Sequence, residues 1–568
     1  MKDLIKKFIP PFLISWYHFS LSFLGALFYQ FPSKKLKVIG ITGTEGKTTV
    51  VHLAGKILEA AGFKVGWISS ATLKISEKEW LNPYHMTMPG RFFLQKFLSQ
   101  MVKEKCQYAV LEVTSEGIKQ YRHKFINFDT AVFTNLGPEH IESHGGFEKY
   151  REAKGELFEA TKGIHIVNLD DKNVEYFLKF PANKKYGYTL KSGRYRISTI
   201  VVKDTKISPA GLNFSINNQE FNLKLLGEFN VYNALAAICF GLSQGIDLQT
   251  IKRALERIEG IPGRMEFINK EQDFKIIIDL AHTPDSFEKV FKLVSDLPHN
   301  KIISIFGSAG GGRDKWKRPI LGKIAARYSD FLILCNEDPY DENPLAILEA
   351  IEKGIQEAGF PKENYLKIED RRKAIKRGLK MAKKGDIVLV LGKGTEQIMV
   401  IGSKKIPWDD RIVTREELKK IKNMKKYEIL EHKADLKIRA YGKTKKELFL
   451  NMLLGMTSAL RAEIKIKKIK IKSPDLPALL VDFLSEVLYL IQVNKEIYSE
   501  AKFVKFTDTE LEAELIGQKV ERFGEDIKAV TYHGLEVHQR PERSEDGRRK
   551  NILRSKDGIW EATVLFDI

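Results

Sequence analysis

A glycine-rich turn followed by Lys and Thr is the part of this sequence with the clearest chemical meaning. The apolar run 37–41 leads to Gly43 and Gly46, and Lys47 and Thr48 then open a helical pattern. Glycines let backbone N–H groups approach phosphate oxygens, and a helix N-terminus favours negative charge. Such a lysine reaches the outer phosphates, and the hydroxyl binds Mg²⁺. The stretch therefore predicts a nucleotide-binding loop, a variant of the strict pattern because position 41 is not glycine.

Three further polar side chains follow in segments that could bring them to the same place. Glu112 ends the strand pattern 108–113, His140 follows the strand pattern 130–135, and Lys154 lies in a helical pattern. Ligands bind beyond the carboxyl ends of parallel strands. Taken singly, these residues are more simply interpreted as a cap, a loop histidine and a solvated lysine. Their order along the chain is what indicates an active site.

Alternating strand and helix patterns divide the chain into parts that could position these groups. Short apolar runs separated by helices over 36–265 predict a mostly parallel, covered sheet, and a second α/β series covers 266–420. That series ends in what we expect to be a charged helical linker, 411–421. The part 425–568 includes the alternating Ile–Lys run 464–472, typical of a strand with one solvated face, and predicts a separate α+β domain. A length of 568 residues fits several domains.

Composition bounds the class of protein only broadly. The net charge of +20 fits nucleic acid, a membrane surface or a polyanionic partner, but lysine-rich solvated surfaces give the same total. Cys106, Cys239 and Cys335 lie far apart without metal or redox spacing, which predicts a cytoplasmic location.

The N-terminal segment 1–35 is unusually apolar. Residues 8–31 carry no Lys, Arg, Asp or Glu, and lysines precede them. About 20 apolar residues can span a bilayer, but polar residues interrupt this run, and no cleavage site indicates a secretory signal. Two interpretations stay open: a helix packed on the nucleotide-binding domain, or a membrane-contacting helix that makes the protein membrane-associated.

The ordered motifs of residues 36–420 resemble the Mur ligase family, in particular the branch that adds the third residue of the peptidoglycan stem peptide. The resemblance implies an α/β fold with a P-loop parallel-sheet ATPase domain at 36–265 and a Rossmann-like ligase domain at 266–420. It rests on the nucleotide loop, on the segments around Glu112, His140 and Lys154, and on the motifs at 226–237, 261–266, 279–286, 313–319 and 392–396.

The resemblance also implies a role for individual residues. Lys47, Lys154, His140 and Glu112 are expected to be catalytic, with Lys154 carbamylated. The residues expected to bind ATP are Gly43, Thr44, Glu45, Gly46, Lys47, Thr48, Thr49, Asn233, Arg264 and Asp279. Those expected to hold Mg²⁺ are Thr48, Glu112, His140 and carbamylated Lys154. Those expected to hold the acceptor are Thr87, Thr114, Gln120 and Arg122, and those expected to hold the amino acid are Arg313, Glu337, Gly392 and Glu396.

The implied chemistry is the ATP-dependent, ADP-forming addition of an amino acid to a muramyl-peptide acceptor. A carboxylate is a poor electrophile, so its phosphorylation by ATP makes an acyl phosphate that an amine attacks to give an amide. Because anions must be brought together, cations such as Lys47, Arg264 and Mg²⁺ are required at the site. The base that deprotonates the amine is not assigned.

Several positions depart from the family pattern. About 35 residues precede the nucleotide-binding strand, fewer than the family's uridine-diphosphate-binding domain needs, so a nucleotide-linked and a lipid-linked acceptor both stay open. Tyr340 stands where the diaminopimelate-selecting motif has Arg, so diaminopimelate, lysine or another amine is compatible with the pattern. Glu45 replaces the usual Asn, and Thr395 replaces the usual His.

The segment 425–568 resembles the archease family. That resemblance implies a small accessory protein that activates an RNA-joining ligase and binds a divalent metal through acidic residues. Asp435 and Asp567 match those positions, and carboxylates of this kind suit Ca²⁺ or another hard divalent cation. Lys433 departs from the family, which usually has Thr there.

Three alternative functions are weighed against this interpretation. Another amide ligase on the same core, of the folate or poly-glutamate type, is disfavoured by Thr87, Gln120, Arg122 and the Asp-Pro motif at 338–339. An accessory protein in RNA ligation with a scaffold ATPase part is disfavoured by the complete set of catalytic residues. Direct RNA binding has the net charge in its favour but no aromatic–basic recognition motif.

Overall fold

The chain folds into two compact units, residues 1–419 and 420–568. The computed structural model describes most of the chain. The described residues are 11–84, 86–269, 272–422, 427–430, 436–442, 444–457, 465–519, 527–540 and 559–567.

The first part of the first unit begins with an apolar helix and continues as alternating strands and helices. The elements are α1 (Pro11–Phe28), a 3₁₀ turn (Pro32–Lys35), β1 (Lys37–Thr42), α2 (Lys47–Ala60), β2 (Val65–Ile68), β3 (Thr72–Ile75), β4 (Lys78–Leu81), α3 (Arg91–Lys103), β5 (Tyr108–Glu112), α4 (Ser115–Lys119), β6 (Thr130–Phe133), α5 (Ile141–His144), α6 (Phe147–Ala160), β7 (Ile164–Asn168), α7 (Val174–Leu178), β8 (Lys184–Thr189) and β9 (Ser198–Val201).

These strands form one nine-stranded sheet with the order β4-β3-β2-β5-β1-β6-β7-β8-β9. The pairs from β2 to β9 are parallel, and β3 and β4 join as antiparallel edge strands. Because helices cover both faces, β1 and β5 are continuous runs of buried residues rather than alternating ones. The carboxyl ends of β1, β5 and β6 therefore meet at one edge, which carries the nucleotide-binding loop.

A small antiparallel sheet and two helices complete this part. Helix α8 is almost wholly buried, since it packs against α2 and β8. The elements are β10 (Lys203–Ser208), β11 (Gly211–Ile216), β12 (Gln219–Leu223), α8 (Glu228–Ser243) and α9 (Leu248–Glu256).

The second part of the first unit is a six-stranded sheet with the order β13-β14-β18-β15-β16-β17. All its pairs are parallel except β13 with β14. The elements are β13 (Glu266–Phe267), β14 (Lys275–Asp279), α10 (Pro284–Ser295), β15 (Ile302–Phe306), α11 (Lys317–Tyr328), β16 (Phe331–Leu334), α12 (Pro344–Glu357), a 3₁₀ turn (Lys362–Asn364), β17 (Tyr365–Lys367), α13 (Arg371–Met381), β18 (Ile387–Leu391), the hairpin β19 (Ile398–Ile401) and β20 (Lys404–Pro407), and α14 (Asp410–Lys422).

The charged helix expected at residues 411–421 is present, but the expectation that it is a linker is wrong. These residues belong to α14, whose residues Asp410, Val413 and Leu418 are buried. Two of its charged residues are buried with partners: Asp410 pairs with the buried Arg371, and Glu417 pairs with Arg372. The charged residues of this segment indicated exposure to solvent, but a charged side chain can be buried when it is paired.

The second unit is an α+β structure with two antiparallel sheets. Their orders are β21-β22-β27-β26 and β23-β25-β24. The apolar side of each sheet and the two helices share one core. The elements are β21 (Tyr427–Leu430), β22 (Leu436–Gly442), α15 (Lys445–Thr457), β23 (Lys465–Lys472), α16 (Leu476–Asn494), β24 (Glu496–Phe506), β25 (Glu510–Lys519), β26 (Ala529–Arg540) and β27 (Ile559–Asp567).

One helix in the described residues, α16, is long and apolar enough to cross a membrane by length and composition. It is the central core helix of the second unit, with 61% of its apolar window buried there. The stretch Leu13–Phe28 is a shorter apolar helix.

Candidate active site

The nucleotide-binding loop has the backbone shape that its glycines predict. Gly43 and Gly46 have φ values of 152° and 80°, and a Cβ on Gly43 would lie 1.9 Å from Thr134 Oγ1. The loop is braced from β6 because Asn135 Oδ1 accepts from the Glu45 backbone N–H at 2.9 Å. Lys47 follows as the first residue of α2, and its Nζ donates to the Thr44 carbonyl at 2.7 Å. The loop is thus a glycine-lined cradle that leads into a helix N-terminus.

Thr48 lies at the centre of a polar cluster beside this loop. Its hydroxyl donates to Glu112 Oε2 at 2.8 Å and accepts from Arg264 Nη2 at 3.0 Å. Ser70 joins them, with its Oγ 2.7 Å from Thr48 Oγ1 and its backbone N–H donating to Glu112 at 2.9 Å. Glu112 and Arg264, predicted from distant motifs, therefore both contact Thr48. Ser70 was missed, because no motif in the sequence points to it.

Lys154 is not a solvated lysine. Its side chain is 2% exposed, and its Nζ donates to the Gly43 carbonyl at 2.7 Å. Burial lowers the pKa of Lys154 well below its usual value, and the charge of Lys47 acts in the same direction. A neutral lysine amine is a nucleophile for CO₂, so this environment suits carbamylation.

A cavity of about 760 Å³ opens next to the loop. We call the end of the cavity near Lys47, Thr48, Lys154 and Arg264 its phosphate end. Of these four residues, Thr48 and Arg264 line the cavity directly. Asp279 lies elsewhere on its wall, accepting from the Met265 and Ala281 backbone N–H groups at 2.7 Å each. The predicted ATP-binding residues that line the cavity are Glu45, Gly46, Thr48, Thr49, Asn233, Arg264 and Asp279, whereas Gly43, Thr44 and Lys47 belong to the loop beside it.

His140 lies where the two parts of the first unit meet. Burial lowers its pKa to about 4, so its ring is neutral near pH 7. Its Nδ1 lies 3.3 Å from Arg313, and its neighbour Glu139 contacts His282 at 3.1 Å between Oε1 and Nε2. Thr283 donates to Glu45 at 2.8 Å, which ties the nucleotide-binding loop to the second part of the unit. Glu139 was not singled out, although it precedes His140 directly.

A second, small pocket of about 40 Å³ opens beside His140. The structure brings all four residues predicted for the amino acid together here. We call this lining the acidic pocket, because Glu139, Asp314, Glu337, Asp338 and Glu396 all contribute to it. Its other lining residues are His140, Leu280, His282, Ala309, Arg313, Lys317, Tyr340 and Gly392.

Glu337 is the most unusual member of the acidic pocket. It is buried, and its Oε2 has no hydrogen-bond partner among the residues that the structure describes. Burial raises the pKa of Glu337, although the nearby His282, Lys317 and Lys393 oppose the rise. Gly392, at φ 110°, leaves room for this carboxylate, since a Cβ there would lie 2.6 Å from Oε2. A buried carboxylate oxygen that faces a pocket is a candidate contact for a cationic ligand.

Two buried ion pairs hold the acidic pocket in shape. Lys393 Nζ donates to Asp338 at 2.8 Å and to Glu396 at 2.6 Å. Arg371 binds Asp410 through two hydrogen bonds of 2.8 and 2.6 Å and donates to the Leu391 carbonyl, just before Gly392. Arg371 was not predicted, because its partner is distant in sequence and no motif links them.

The residues predicted to hold the acceptor lie around Met86 and Met88. Arg122 donates to the Met88 carbonyl and, at 2.7 Å, to Gln120 Oε1. Thr114 caps α4, and its backbone N–H contacts Met88 Sδ at 3.4 Å. Thr87, between the two methionines, is half-buried. Burial lowers the pKa of Arg122 to about 10, which leaves it charged near pH 7.

The donor set around Thr48 fits Mg²⁺ by chemistry. A hydroxyl and a carboxylate oxygen 2.8 Å apart are hard oxygen ligands beside a phosphate cradle. Within the described part of the chain, no group of three or more His, Cys, Asp or Glu side chains could hold a metal ion. Such a site therefore depends on Thr48, Glu112 and nucleotide oxygens, together with the predicted ligands His140 and a carbamate at Lys154. These assignments stay predictions.

The acidic residues predicted for the second unit are only partly described. Asp567 is exposed at the end of β27, and its carbonyl accepts from the Lys528 backbone N–H at 2.7 Å. Asp435 lies outside the described residues.

Three family models match successive parts of the chain. The model for the Mur ligase middle domain matches residues 41–241, and that for the Mur ligase glutamate ligase domain matches residues 263–394. The model for the Archease protein family matches residues 427–568.

Curated relatives are similar over most of their length. UDP-N-acetylmuramoyl-L-alanyl-D-glutamate--2,6-diaminopimelate ligase 1 of Clostridium acetobutylicum is 37% identical over 71% of this chain and 82% of its own. UDP-N-acetylmuramyl-tripeptide synthetase of Borreliella burgdorferi is 39% identical over 68% of this chain and 78% of its own.

Solved structures support the fold. Folylpolyglutamate synthase of Mycobacterium tuberculosis, complexed with ADP, has a TM-score of 0.54 at 16% identity, over 67% of this chain and 92% of that one. A UDP-N-acetylmuramoylalanyl-D-glutamyl-2,6-diaminopimelate--D-alanyl-D-alanyl ligase of Acinetobacter baumannii has a TM-score of 0.51 at 21% identity, over 71% and 79%. The predicted fold class, with its archease domain, is confirmed.

Proposed function

The chain belongs to the Mur ligase family, and we propose that it joins an amino acid to the carboxylate of a muramyl-peptide acceptor, with ATP converted to ADP and phosphate. Family membership makes it an ATP- and Mg²⁺-dependent ligase whose last part is an archease domain. The muramyl-peptide acceptor is proposed from the names of its relatives. We also propose a cytoplasmic location and a role in peptidoglycan biosynthesis.

The observation that carries the proposal is that consecutive residues line the two sites: Asp279 lines the cavity, and Leu280 lines the acidic pocket. Lys47, Thr48 and Arg264 lie at the phosphate end of the cavity, and His140 lines the acidic pocket. The contacts Thr283 to Glu45 and His282 to Glu139 join the elements that carry the two sites. An electrophile made at the first site is thereby within reach of an amine held at the second.

The proposed reaction has two steps. An acceptor carboxylate oxygen attacks the γ-phosphorus of ATP, ADP leaves, and an acyl phosphate forms. The amine then attacks the acyl carbon, phosphate leaves with the C–O electron pair, and the amine loses a proton. Lys47 and Arg264 offset the charge of the phosphates, while Mg²⁺, when bound, polarises their oxygens.

The acidic pocket supports a basic amino acid as the second substrate. Arg313 at the pocket can hold an α-carboxylate, and Glu337 offers a buried carboxylate to a side-chain ammonium group. Tyr340 stands where the family's motif has the Arg that binds the distal carboxylate of diaminopimelate. Lysine or a similar diamine therefore fits this pocket better than diaminopimelate.

Phosphate release from ATP and Mg²⁺ by the full chain tests the proposal. Acceptors of the UDP-muramyl-dipeptide and lipid-linked types, with folates as the alternative class, are each offered with lysine, diaminopimelate or glutamate. We expect release only with a muramyl peptide plus a basic amino acid, and a loss of about 10³-fold in Lys47→Ala. Lys56→Ala, on the same helix, is the matched control. Release with a folate and glutamate, or equal rates in Lys47→Ala, would contradict the proposal.

For the second unit we propose a divalent-metal site at Asp435 and Asp567 and an RNA-joining ligase as partner. The support is the archease match and the pairing of Leu436, which follows Asp435, with Phe566, which precedes Asp567. Ca²⁺ should raise the melting temperature of the chain, and Asp567→Asn should abolish that rise. An equal rise in the variant would refute the site.

A further inference from the structure

Helix α1 is oriented against the usual rule for a helix on a protein surface. Large apolar side chains, interrupted by Ser20, point to solvent along one stripe, and small or polar ones such as Ser22 and Ala26 point to the protein. A surface helix normally buries its apolar stripe and exposes its polar one. The orientation therefore needs a physical reason.

The inner side of α1 makes specific contacts. Ser22 is 2% exposed and donates to the Tyr121 carbonyl at 2.8 Å, and Ser15 Oγ lies 2.7 Å from the Tyr121 hydroxyl. Ala26 is buried, and a Cβ on Gly25 would lie only 3.4 Å from the Phe92 backbone. The helix is docked through close approach and hydrogen bonds, so its rotation is set by these contacts.

The outer side of α1, here called the apolar face, consists of Leu13, Trp16, Tyr17, Leu24, Leu27 and Phe28. These positions follow the helical repeat and are 45 to 72% exposed. The edges of the helix are held by aromatic contacts, such as Phe23 with Phe125 at 5.3 Å between ring centroids. A contiguous exposed stripe of this kind marks an interaction surface.

Helix α1 lies beside the residues predicted to hold the acceptor. At one end of the apolar face Phe28 contacts Phe92 on α3, and the neighbouring Arg91 donates to the Gln120 carbonyl at 3.1 Å. Tyr121, which contacts Ser15 and Ser22 on the inner side of α1, stands between Gln120 and Arg122 in the chain. A surface that covers the apolar face is therefore close to the segment that carries these residues.

The charges around α1 indicate what covers it. Residues 4–44 contain no Asp or Glu, while Lys2, Lys6, Lys7, Lys34, Lys35 and Lys37 flank the helix in the sequence. Lys34 and Lys35 are exposed directly after α1. An uncharged aromatic-rich helix between clusters of lysine has the chemistry of a segment that lies in the interface of an anionic bilayer.

We propose that the apolar face of α1 binds the surface of an anionic lipid bilayer and presents the acceptor-binding residues to a membrane-anchored acceptor. The presentation of a membrane-anchored acceptor rests on the ligase function proposed above, whereas the binding of the bilayer does not. Trp16 and Tyr17 enter the headgroup region, and the flanking lysines contact anionic headgroups. The helix lies along the membrane surface, because its inner side is already committed to the protein.

Vesicle flotation of the full chain tests membrane binding directly. The vesicles contain equal parts of phosphatidylcholine and phosphatidylglycerol, and phosphatidylcholine alone serves for comparison. The test variant is Trp16→Ser with Leu24→Ser and Leu27→Ser, whose side chains are 70, 49 and 52% exposed. The matched control is Leu345→Ser with Ile406→Ser and Ile412→Ser, which are 50, 39 and 49% exposed elsewhere on the first unit.

We expect the unmodified chain to float with the anionic vesicles and the test variant to lose about tenfold or more of that binding, while the control keeps it. Lys34→Glu with Lys35→Glu should weaken binding to anionic vesicles, since the lysines supply attraction to the headgroups. Unmodified chain that fails to float, or a test variant that floats equally, would overturn the proposal. A dimer without vesicles that the test variant dissociates would assign the face to a second copy instead.

A second readout separates this proposal from the ligase function. Phosphate release with a water-soluble acceptor needs no vesicles and should be equal in the test variant and the unmodified chain. With a vesicle-anchored acceptor, the test variant should be slower by about the factor it loses in binding. Vesicle binding without phosphate release for any acceptor would leave the membrane contact standing and refute the ligase function alone.

Discussion

The phosphate end of the nucleotide cavity and the acidic pocket are both built at the carboxyl ends of parallel strands, but they hold different ionisable groups. Lys47 and Arg264 lie at the first, whereas the second contains Glu337 beside Asp338 and Glu396, which share Lys393. The first suits the anions of a nucleotide and an acyl phosphate. The second suits the cationic groups of an amino acid.

The two sites also differ in how burial acts on their key groups. Burial lowers the pKa of Lys154 and raises that of Glu337, so each group shifts toward its neutral form. A neutral Lys154 can react with CO₂, and Glu337 regains its charged form when a cation binds. Each site therefore contains a buried ionisable group that is unfavourable in the unliganded protein and is stabilised when its own ligand binds.

The largest effect should come from Lys154→Ala. It removes the amine that reacts with CO₂ to form a carbamate, and phosphate release should fall by about 10² to 10³-fold. Depleting CO₂ should slow the unmodified chain but not the variant. A short carboxylic acid should partly restore the variant, since it supplies the missing carboxylate. Lys162→Ala, on the nearby surface, is the control. An unaltered rate of phosphate release in Lys154→Ala would contradict the role of Lys154.

A smaller effect is expected from Glu337→Gln. Removing the carboxylate should raise the KM for lysine by about tenfold with little change in kcat. Since burial raises the folded-state pKa of Glu337, its contribution to stability is present below the unfolded pKa and is lost as pH rises through the folded pKa. The variant should therefore melt at a higher temperature than the unmodified chain at pH 8 and at about the same temperature at pH 4.

Thermal melts between pH 4 and pH 8 check whether Glu337→Gln raises the melting temperature at the higher pH. Glu357→Gln, on the surface of α12, is the control. A Glu337→Gln chain that is less stable at pH 8, or that keeps its KM for lysine, would show that the carboxylate is a structural acceptor instead.

The smallest effect should come from Tyr340→Arg. Tyr340 has φ 52°, which Arg tolerates no worse than Tyr, and its side chain borders the acidic pocket. A guanidinium there can bind a second carboxylate, so kcat/KM for diaminopimelate relative to lysine should rise by a few fold to about tenfold. Tyr340→Phe is the control, since it adds no charge. If kcat/KM for diaminopimelate relative to lysine does not change, Tyr340 does not take part in substrate selection.

Much of the first site could be read from the sequence, because its residues belong to local motifs. The nucleotide-binding loop, Thr48 and the strand before it lie in one continuous stretch, and glycine spacing alone predicts the cradle. The strand patterns 108–113 and 130–135 correspond to β5 and β6, whose ends carry Glu112 and the loop before His140. Hydrophobic runs are reliable here since these strands are buried on both faces.

The residues that hold the site residues in place could not be predicted in the same way. Ser70 joins Thr48 and Glu112 from the edge of another strand, and Arg371 holds Gly392 through its contact with Leu391. The segment 411–421 was misjudged as a linker for the same reason. A buried charge is stabilised by a partner that is close only after folding.

Local spacing and burial periodicity in the sequence were enough to predict the alternation of strands and helices, the glycine cradle and the residue types needed for acyl-phosphate chemistry. The sequence also showed that residues 8–31 are apolar. The tertiary structure was needed to show which side of α1 faces solvent, that Lys154 is buried, and that the adjacent residues Asp279 and Leu280 line the cavity and the acidic pocket. These features depend on contacts between residues far apart in the chain, and hydropathy along the sequence carries no information about them.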